Sequence, residues 1–270
     1  MSTEINPVVN IEAVEEQKNP SAPNRLKRVK LIVAYDGTNY HGWQVQPNGE
    51  TIEGVLNRTL SSLLGEKIVV TGASRTDAGV HSMGNVAVFD TKSRIPAEKI
   101  SYALNQRLPE DIVVQKSEEV PSDFHPRHCD SRKTYEYRIL NREFPLPMYR
   151  NNTYFCYRKL DLEKMQQAVE YLKGEHDFKS FCATAAVVET TVRTIYELTV
   201  SRREDIITIR VTGNGFLYNM VRIIAGTLLQ AGMGMIEPEE IKTILAVKDR
   251  SAAGPTAPAQ GLTMIGIEYL

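Results

Sequence analysis

The amino-acid sequence predicts an α+β protein built from two similar halves. Residues 28–35 (RVKLIVAY) are apolar and β-branched, which is typical of a buried strand. From residue 52 onward, apolar side chains recur at helical spacing, which indicates an amphipathic helix. The order strand, helix, strand, strand, helix, strand is predicted for the first half, and the second half repeats it in outline. Together these observations predict mixed or antiparallel sheets backed by helices.

The first half has clear helix boundaries. Thr51 is an N-cap residue and Gly65 a stop signal for the first helix, and Pro96 opens a second helix predicted over 97–107. The strands of this half are predicted at residues 28–35, 67–72, 84–90 and 111–119.

The second half has comparable signals. Asp161 caps a helix that should end at Gly174, an apolar helix is predicted over 216–232, and Pro238 opens a third helix. The strands of this half are predicted at residues 133–140, 192–201, 205–212 and 261–270. We therefore expect two ferredoxin-like domains with a positively charged cleft between their open sheet faces. The expected division is a disordered acidic tail (1–24), an N-terminal domain (25–120) and a C-terminal domain (121–270).

The composition is typical of a soluble globular protein, with 42% hydrophobic and 24% charged residues. No apolar run reaches the roughly 20 residues of a membrane helix, and residues 1–24 lack the pattern of a signal or transit peptide. The three cysteines are scattered, which favours free thiols in a reducing compartment. We therefore expect a cytoplasmic protein without a membrane partner.

Basic residues are clustered although the formal net charge is −1. Residues 25–270 hold 31 basic and 29 acidic residues, so the tail accounts for the negative value. Such clusters either form a solvated face or contact nucleic acid. The candidates for RNA contact are Arg25, Lys27, Arg28, His125, Arg127 and Lys133. His125 and Cys129 resemble part of a metal site, but no second cluster completes it, so no metal is predicted.

The segment 72–81 (GASRTDAGVH) is the most informative part of the sequence. It lies between two predicted strands, and its small residues allow a backbone or a flat ligand to approach closely. Arg75 and Asp77 place a guanidinium and a carboxylate two positions apart. An ordinary hydrogen-bonded turn explains these residue types equally well.

Several motifs, in order, resemble the TruA family of tRNA pseudouridine synthases. Besides the segment 72–81, they are YDGTNYHGWQ (35–44), FHPRHCDSRKTYEYRI (124–139), HDFKSF (176–181), GNGFLYNMVRIIAGTLL (213–229) and AGPTAPAQGL (253–262). Ser74 replaces a residue that is most often glycine in the family pattern, and remains small. The resemblance covers residues 28–270.

The resemblance implies a role for four residues. Asp77 matches the nucleophile, and Arg222 matches the basic residue that pairs with it. Arg75 matches the loop arginine that helps to hold flipped RNA, and Tyr135 matches the tyrosine that lies against the uracil. Tyr137 points to the same sheet face as Tyr135, since it is two residues away, and is expected in the core.

The resemblance also implies the reaction, which converts uridine to pseudouridine at positions 38, 39 and 40 of the tRNA anticodon stem-loop. No atom is gained and no redox change occurs, so we expect no cofactor, nucleotide or metal. The partners implied are tRNA and a second copy of the chain. Attack at C6 of the uracil and attack at C1′ of the ribose remain open, as do a proton-transfer and a stacking role for Tyr135.

Three other functions compete with this hypothesis. A non-catalytic RNA-binding protein needs no carboxylate in the loop. A hydrolase could use Asp77 and His81, although the segment is predicted to be a loop and not the helix that would align them. A relative within the family could act at another position of tRNA or on another RNA.

Overall fold

The computed structural model describes residues 25–183 and 189–270, so the predicted tail 1–24 lies outside the described residues. The strands are β1 (Lys27–Tyr35), β2 (Thr71–Gly72), β3 (His81–Thr91), β4 (Ile112–Val120), β5 (Ser131–Asn141), β6 (Tyr154–Cys156), β7 (Gly174–Asp177), β8 (Val192–Arg203), β9 (Ile206–Gly213) and β10 (Leu262–Tyr269). The α-helices are α1 (Ile52–Leu64), α2 (Ala97–Asn105), α3 (Leu162–Glu170), α4 (Met220–Gly232) and α5 (Glu240–Val247).

The strands form one sheet in the order β4-β1-β3-β10-β5-β9-β8-β7, with β2 paired to β3 and β6 paired to β5. Most pairs are antiparallel, and the β10–β3 and β5–β6 pairs are parallel. The predicted α+β class is confirmed. A separate sheet was predicted for each half, but β10 joins the two halves. It pairs with β5 along its length and with β3 at Thr263 and Met264. The join covers strand edges that would otherwise expose unpaired backbone groups.

Buried apolar side chains form two cores, which follow the two halves of the chain except that Val80 of the first half lies in the second core. The first is built by β1, α1, α2 and their neighbours, and includes Trp43, Leu56 and Ile100. The second is built by β5, β8, β9, α3 and α4, and includes Tyr137 and Phe181. Each core removes a large apolar surface from water, which is the main favourable contribution to folding.

Local signals explain both ends of α1, whereas α3 ends at Glu170, before the predicted stop at Gly174. The Thr51 Oγ1 atom accepts a hydrogen bond from the Gly54 amide at 3.2 Å, and Gly65 ends α1 with φ 67°. Helix α4 was predicted from residue 216 but begins at Met220, because Asn219 takes a left-handed backbone (φ 61°) that interrupts a right-handed helix.

Candidate active site

The loop between β2 and β3 contains Asp77, and the glycine-rich segment 35–44 supports its backbone. The Trp43 amide donates to the Thr76 carbonyl at 3.0 Å. Gly42 has φ 86°, and a Cβ atom on it would lie 2.5 Å from that carbonyl oxygen; a Cβ on Gly37 would lie 2.0 Å from the Val80 carbonyl oxygen. Glycine is therefore required at both positions for the segment to approach the loop.

Buried polar side chains hold the same loop. The Tyr35 and Thr76 hydroxyls are 2.8 Å apart, and the side-chain amide of Asn85 donates from Nδ2 to the Ser74 carbonyl at 2.9 Å. Tyr35, Thr76 and Asn85 are all buried, so these bonds are shielded from competition with water. These three residues were not predicted from the sequence, although Tyr35 begins the segment 35–44 and Thr76 lies between Arg75 and Asp77.

An ion pair connects the loop to α4. The Arg222 Nη1 atom lies 3.1 Å from the Asp77 Oδ2 atom, although the residues are 145 positions apart. The Asp77 side chain is 27% exposed and the Arg222 side chain 17% exposed. Arg222 also donates from Nε to the Ala257 carbonyl at 2.7 Å. Because the contact engages only Oδ2, Arg222 leaves Oδ1 of the carboxylate available.

Tyr135 lies in β5 near this pair. Its ring meets the Phe216 ring edge to face, with centroids 5.3 Å apart, and its side chain is buried. Burial raises the pKa of Tyr135 to about 12, and the negative charge of Asp77 adds to the rise. Tyr137 is fully buried and its hydroxyl donates to the Pro258 carbonyl at 2.9 Å. Arg75 is exposed at the loop surface.

Arg127 and Lys133, two of the predicted RNA-binding residues, lie against the start of the same loop. Arg127 donates from Nε to the Gly72 carbonyl at 2.7 Å, and Lys133 donates from Nζ to the Ala73 carbonyl at 3.5 Å. Burial lowers the pKa of Lys133, and the positive charge of Arg127 lowers it further. His125 accepts from the Arg127 amide at 3.2 Å. The contacts of Arg127 and Lys133 with the loop were not predicted, because their acceptors are backbone carbonyls.

The other predicted RNA-binding residues have partners within the fold. Arg28 binds both carboxylate oxygens of Asp90, at 2.8 and 2.7 Å. Arg25 pairs with Glu119, and Lys27 donates to the Ile95 carbonyl at 2.5 Å. Arg25, Lys27 and Arg28 lie at or before the start of β1, whereas Tyr35 at its end contacts the loop. The structure does not bring them to Asp77.

Comparison with known proteins assigns the family. A family model described as tRNA pseudouridine synthase matches residues 31–128 and 168–269. The chain is 51% identical over 245 residues to tRNA pseudouridine synthase A of Ruminiclostridium cellulolyticum, and the match covers 90% of this chain and all of that protein. It is 48% identical over 244 residues to the protein of the same name from Acetivibrio thermocellus, with the same coverage. The chain belongs to the tRNA pseudouridine synthase family.

Family membership identifies the chain as an isomerase, a pseudouridine synthase, and sets aside the alternatives of a hydrolase and a binding protein without activity. Among solved structures, it is similar to a chain described as a Cbf5-Nop10-Gar1 complex, at TM-score 0.31 and 15% identity over 87% of this chain and 47% of that chain. A similarity this low supports no argument about the fold.

His81 is placed differently from what a hydrolase would need. Its Nδ1 atom accepts from the Gly37 amide at 3.1 Å and lies 3.1 Å from the Asp36 carboxylate, so this edge of the ring faces the end of β1. Among residues 25–183 and 189–270, no three histidine, cysteine or acidic side chains are grouped as metal ligands. No helix in that part of the chain is long and apolar enough to cross a membrane.

Proposed function

We propose that this pseudouridine synthase acts on uridines 38, 39 and 40 of the tRNA anticodon stem-loop, with Asp77 as its nucleophile. The observation that carries the role of Asp77 is its ion pair with Arg222, made in a loop held by buried hydrogen bonds and with Oδ1 outside that contact. Membership of the family supports the reaction class, and the relatives named tRNA pseudouridine synthase A support tRNA as the substrate.

A carboxylate suits a reaction that breaks and remakes a bond to the same base. The C1′–N1 bond is broken, the uracil turns, C5 bonds to C1′ and loses its proton, and N1 gains a proton. The nucleophile must attack and then leave, which a carboxylate does readily. Attack by Asp77 at C6 of the uracil and attack at C1′ of the ribose use the same group, and the proposal includes both.

Arg222 stabilises the negative charge of the nucleophile when a base covers it. Removing water from a carboxylate favours its neutral form, and a fixed cation beside it opposes this effect. An arginine stays protonated and donates in a fixed plane, so it pairs with Oδ2 without covering Oδ1. This geometry leaves one carboxylate oxygen outside the contact with Arg222, in a site that a base can close.

Tyr135 and Arg75 are proposed to hold the extruded uridine. Extraction of a base from its stack costs about a few kcal/mol, which contacts in the site must offset. The buried Tyr135 ring offers a flat surface, and the exposed Arg75 guanidinium can contact the phosphate backbone. Because the pKa of Tyr135 is about 12, the tyrosine is protonated at neutral pH, which favours stacking over action as a base.

We further propose a cytoplasmic homodimer with two structural units, 25–120 and 121–270, and a positively charged cleft between them for tRNA. The separate cores of the two halves support the division. The tail 1–24 is proposed to be dispensable. Light scattering should give twice 30.3 kDa, and a monomer at micromolar concentration would contradict the dimer.

Pseudouridine mapping tests the proposed specificity directly. The gene is deleted in its host, and tRNA from the deletion strain is compared with tRNA from the same strain carrying the wild-type protein. We expect pseudouridine at positions 38, 39 and 40 to be lost on deletion and restored by the protein. Modification that persists there but disappears at another position would refute the proposed specificity and leave the family assignment intact.

A further inference from the structure

Asn219 has a backbone conformation that is unusual for a residue other than glycine. Its φ and ψ angles are 61° and 6°, and it directly precedes α4. Among the residues that the structure describes, only Glu204 and Lys248 are other non-glycine residues with positive φ. Asparagine tolerates this region better than most residues, but a glycine would occupy it without steric cost. The side chain of Asn219 therefore needs an explanation.

The side chain does not cap α4. A residue before a helix normally has an extended backbone, and its side-chain oxygen accepts from an amide of the first turn. Asn219 makes no such bond. Its Oδ1 atom instead accepts from the Arg222 Nη1 atom at 2.9 Å. Asn219 thus has neither the extended backbone nor the capping hydrogen bond that is usual before a helix. Its side chain contacts Arg222 instead.

This contact completes the fixation of the guanidinium. Nε is held by the Ala257 carbonyl, and Nη1 carries two hydrogens that can be divided between Asn219 Oδ1 and Asp77 Oδ2. With Nε and one hydrogen of Nη1 bound to the protein, the plane of the group is set. The second hydrogen of Nη1 is then directed at the carboxylate of Asp77.

We propose that Asn219 is a positioning residue whose amide oxygen orients Arg222 toward Asp77. The left-handed backbone of Asn219, three residues before Arg222, places that oxygen within hydrogen-bond distance of the guanidinium. The inference rests on the proposed roles of Asp77 and Arg222. It explains why α4 begins at Met220 and why the residue before it is not glycine.

Asn219→Gly tests the inference, because glycine keeps the backbone and removes only the side chain. The melting temperature should be unchanged or higher, and tRNA binding should be unchanged. The single-turnover rate of pseudouridine formation should fall by about tenfold or more, as expected for the loss of a hydrogen bond to a charged group. A purely structural role predicts a wild-type rate, and that result would overturn the inference.

Glu204→Gly is the matched control. Glu204 has nearly the same φ (54°), but it is exposed in the turn between β8 and β9. The same substitution there should leave the rate unchanged. An equal fall in rate in both variants would mean that backbone freedom, and not the Asn219 oxygen, causes the effect, and would also overturn the inference.

A double substitution shows whether Asn219 acts through Arg222. In an Arg222→Lys background, Asn219→Gly should cause little further loss, because the group that it orients is already absent. Losses that multiply would overturn the inference. The proposed function is tested separately: if the wild type lacks activity, or Asp77→Asn retains it, that proposal fails, whereas a wild-type rate in Asn219→Gly alone refutes only the role of Asn219.

Discussion

Arginines serve different purposes in two regions of this molecule. At the active-site loop, Arg222 binds the Asp77 carboxylate and a backbone carbonyl, and Arg127 binds the carbonyl of Gly72. At the start of β1, Arg25 and Arg28 pair with the surface carboxylates of Glu119 and Asp90. Arg25, Arg28 and Arg127 lie in basic clusters of the sequence, whereas Arg222 does not. Arg28 also donates to the Phe124 carbonyl at 3.1 Å, and β1 lies inside the sheet between β4 and β3. The two regions differ because only Arg222 and Arg127 contact the active-site loop.

The comparison shows why local charge density is a weak guide to function. A surface ion pair contributes about 0–1 kcal/mol, because water and salt screen it. A cation bound to a backbone carbonyl beside a loop restricts that loop, and its own remaining donors can still bind phosphate. Substitution of an arginine should therefore lower the reaction rate strongly at the active-site loop and weakly at the start of β1.

Arg222→Lys should have the largest effect of the arginine variants. A lysine ammonium cannot reproduce the planar arrangement that reaches Ala257, Asn219 and Asp77 together. We expect the single-turnover rate to fall by about a hundredfold or more, since at least one charged hydrogen bond and the orientation of the carboxylate are lost. Near-normal turnover in a folded Arg222→Lys protein would remove Arg222 from the site.

Substitutions of Tyr135 test whether its side chain stacks on the uracil or transfers a proton. Tyr135→Leu removes the flat ring and should slow the reaction strongly, whereas Tyr135→Phe keeps the ring and should be less affected. Burial raises the pKa of Tyr135 to about 12, so its hydroxyl stays protonated. Ionisation of this hydroxyl should therefore not change the wild-type rate between about pH 7 and about pH 9. Equal losses in the two variants would instead assign proton transfer to the hydroxyl.

Arg127→Ala should have an intermediate effect. It removes a charge and also the donor to the Gly72 carbonyl, so we expect a several-fold lower single-turnover rate and weaker tRNA binding. The plot of log affinity against log salt should become shallower by about one unit if the guanidinium also neutralises one phosphate. An unchanged rate and an unchanged slope would show that the loop contact is dispensable and that Arg127 is only a solvated charge.

Arg28→Ala should have the smallest effect. The substitution breaks the pair with Asp90, which should cost about 1 kcal/mol of stability or less. Both the single-turnover rate and the salt dependence of tRNA binding should stay close to wild type. A salt dependence that changes as much as in Arg127→Ala would end the distinction between the two regions and restore Arg28 as a principal RNA contact.

The sequence predicted the features that depend on local signals. Thr51 and Gly65 bound α1 as predicted, because caps and left-handed glycines act within one turn. The short strands β6 and β7 were missed, because three or four residues show no periodicity. The sheet was predicted as two, because the pairing of β10 with β3 depends on contacts between distant segments.

The candidate site shows the same limit. The resemblance singled out Asp77, Arg222, Tyr135 and Arg75, but no local pattern connects Asp77 with a residue 145 positions away. The groups that support the pair were not predicted. The Ala257 carbonyl is a backbone group, and Asn219 acts through a positive φ that the sequence does not reveal.

The most direct test of the central claim is single-turnover pseudouridine formation by Asp77→Asn, with tRNA binding and thermal melting measured on the same protein. The substitution keeps the shape of the side chain and removes its nucleophilic charge. We expect unchanged melting, tRNA binding at least as tight as wild type, and a rate lower by at least about a thousandfold, since the asparagine amide cannot form and release the covalent intermediate. A folded Asp77→Asn protein that retains a few per cent of the wild-type rate would contradict the assignment of Asp77 as the nucleophile.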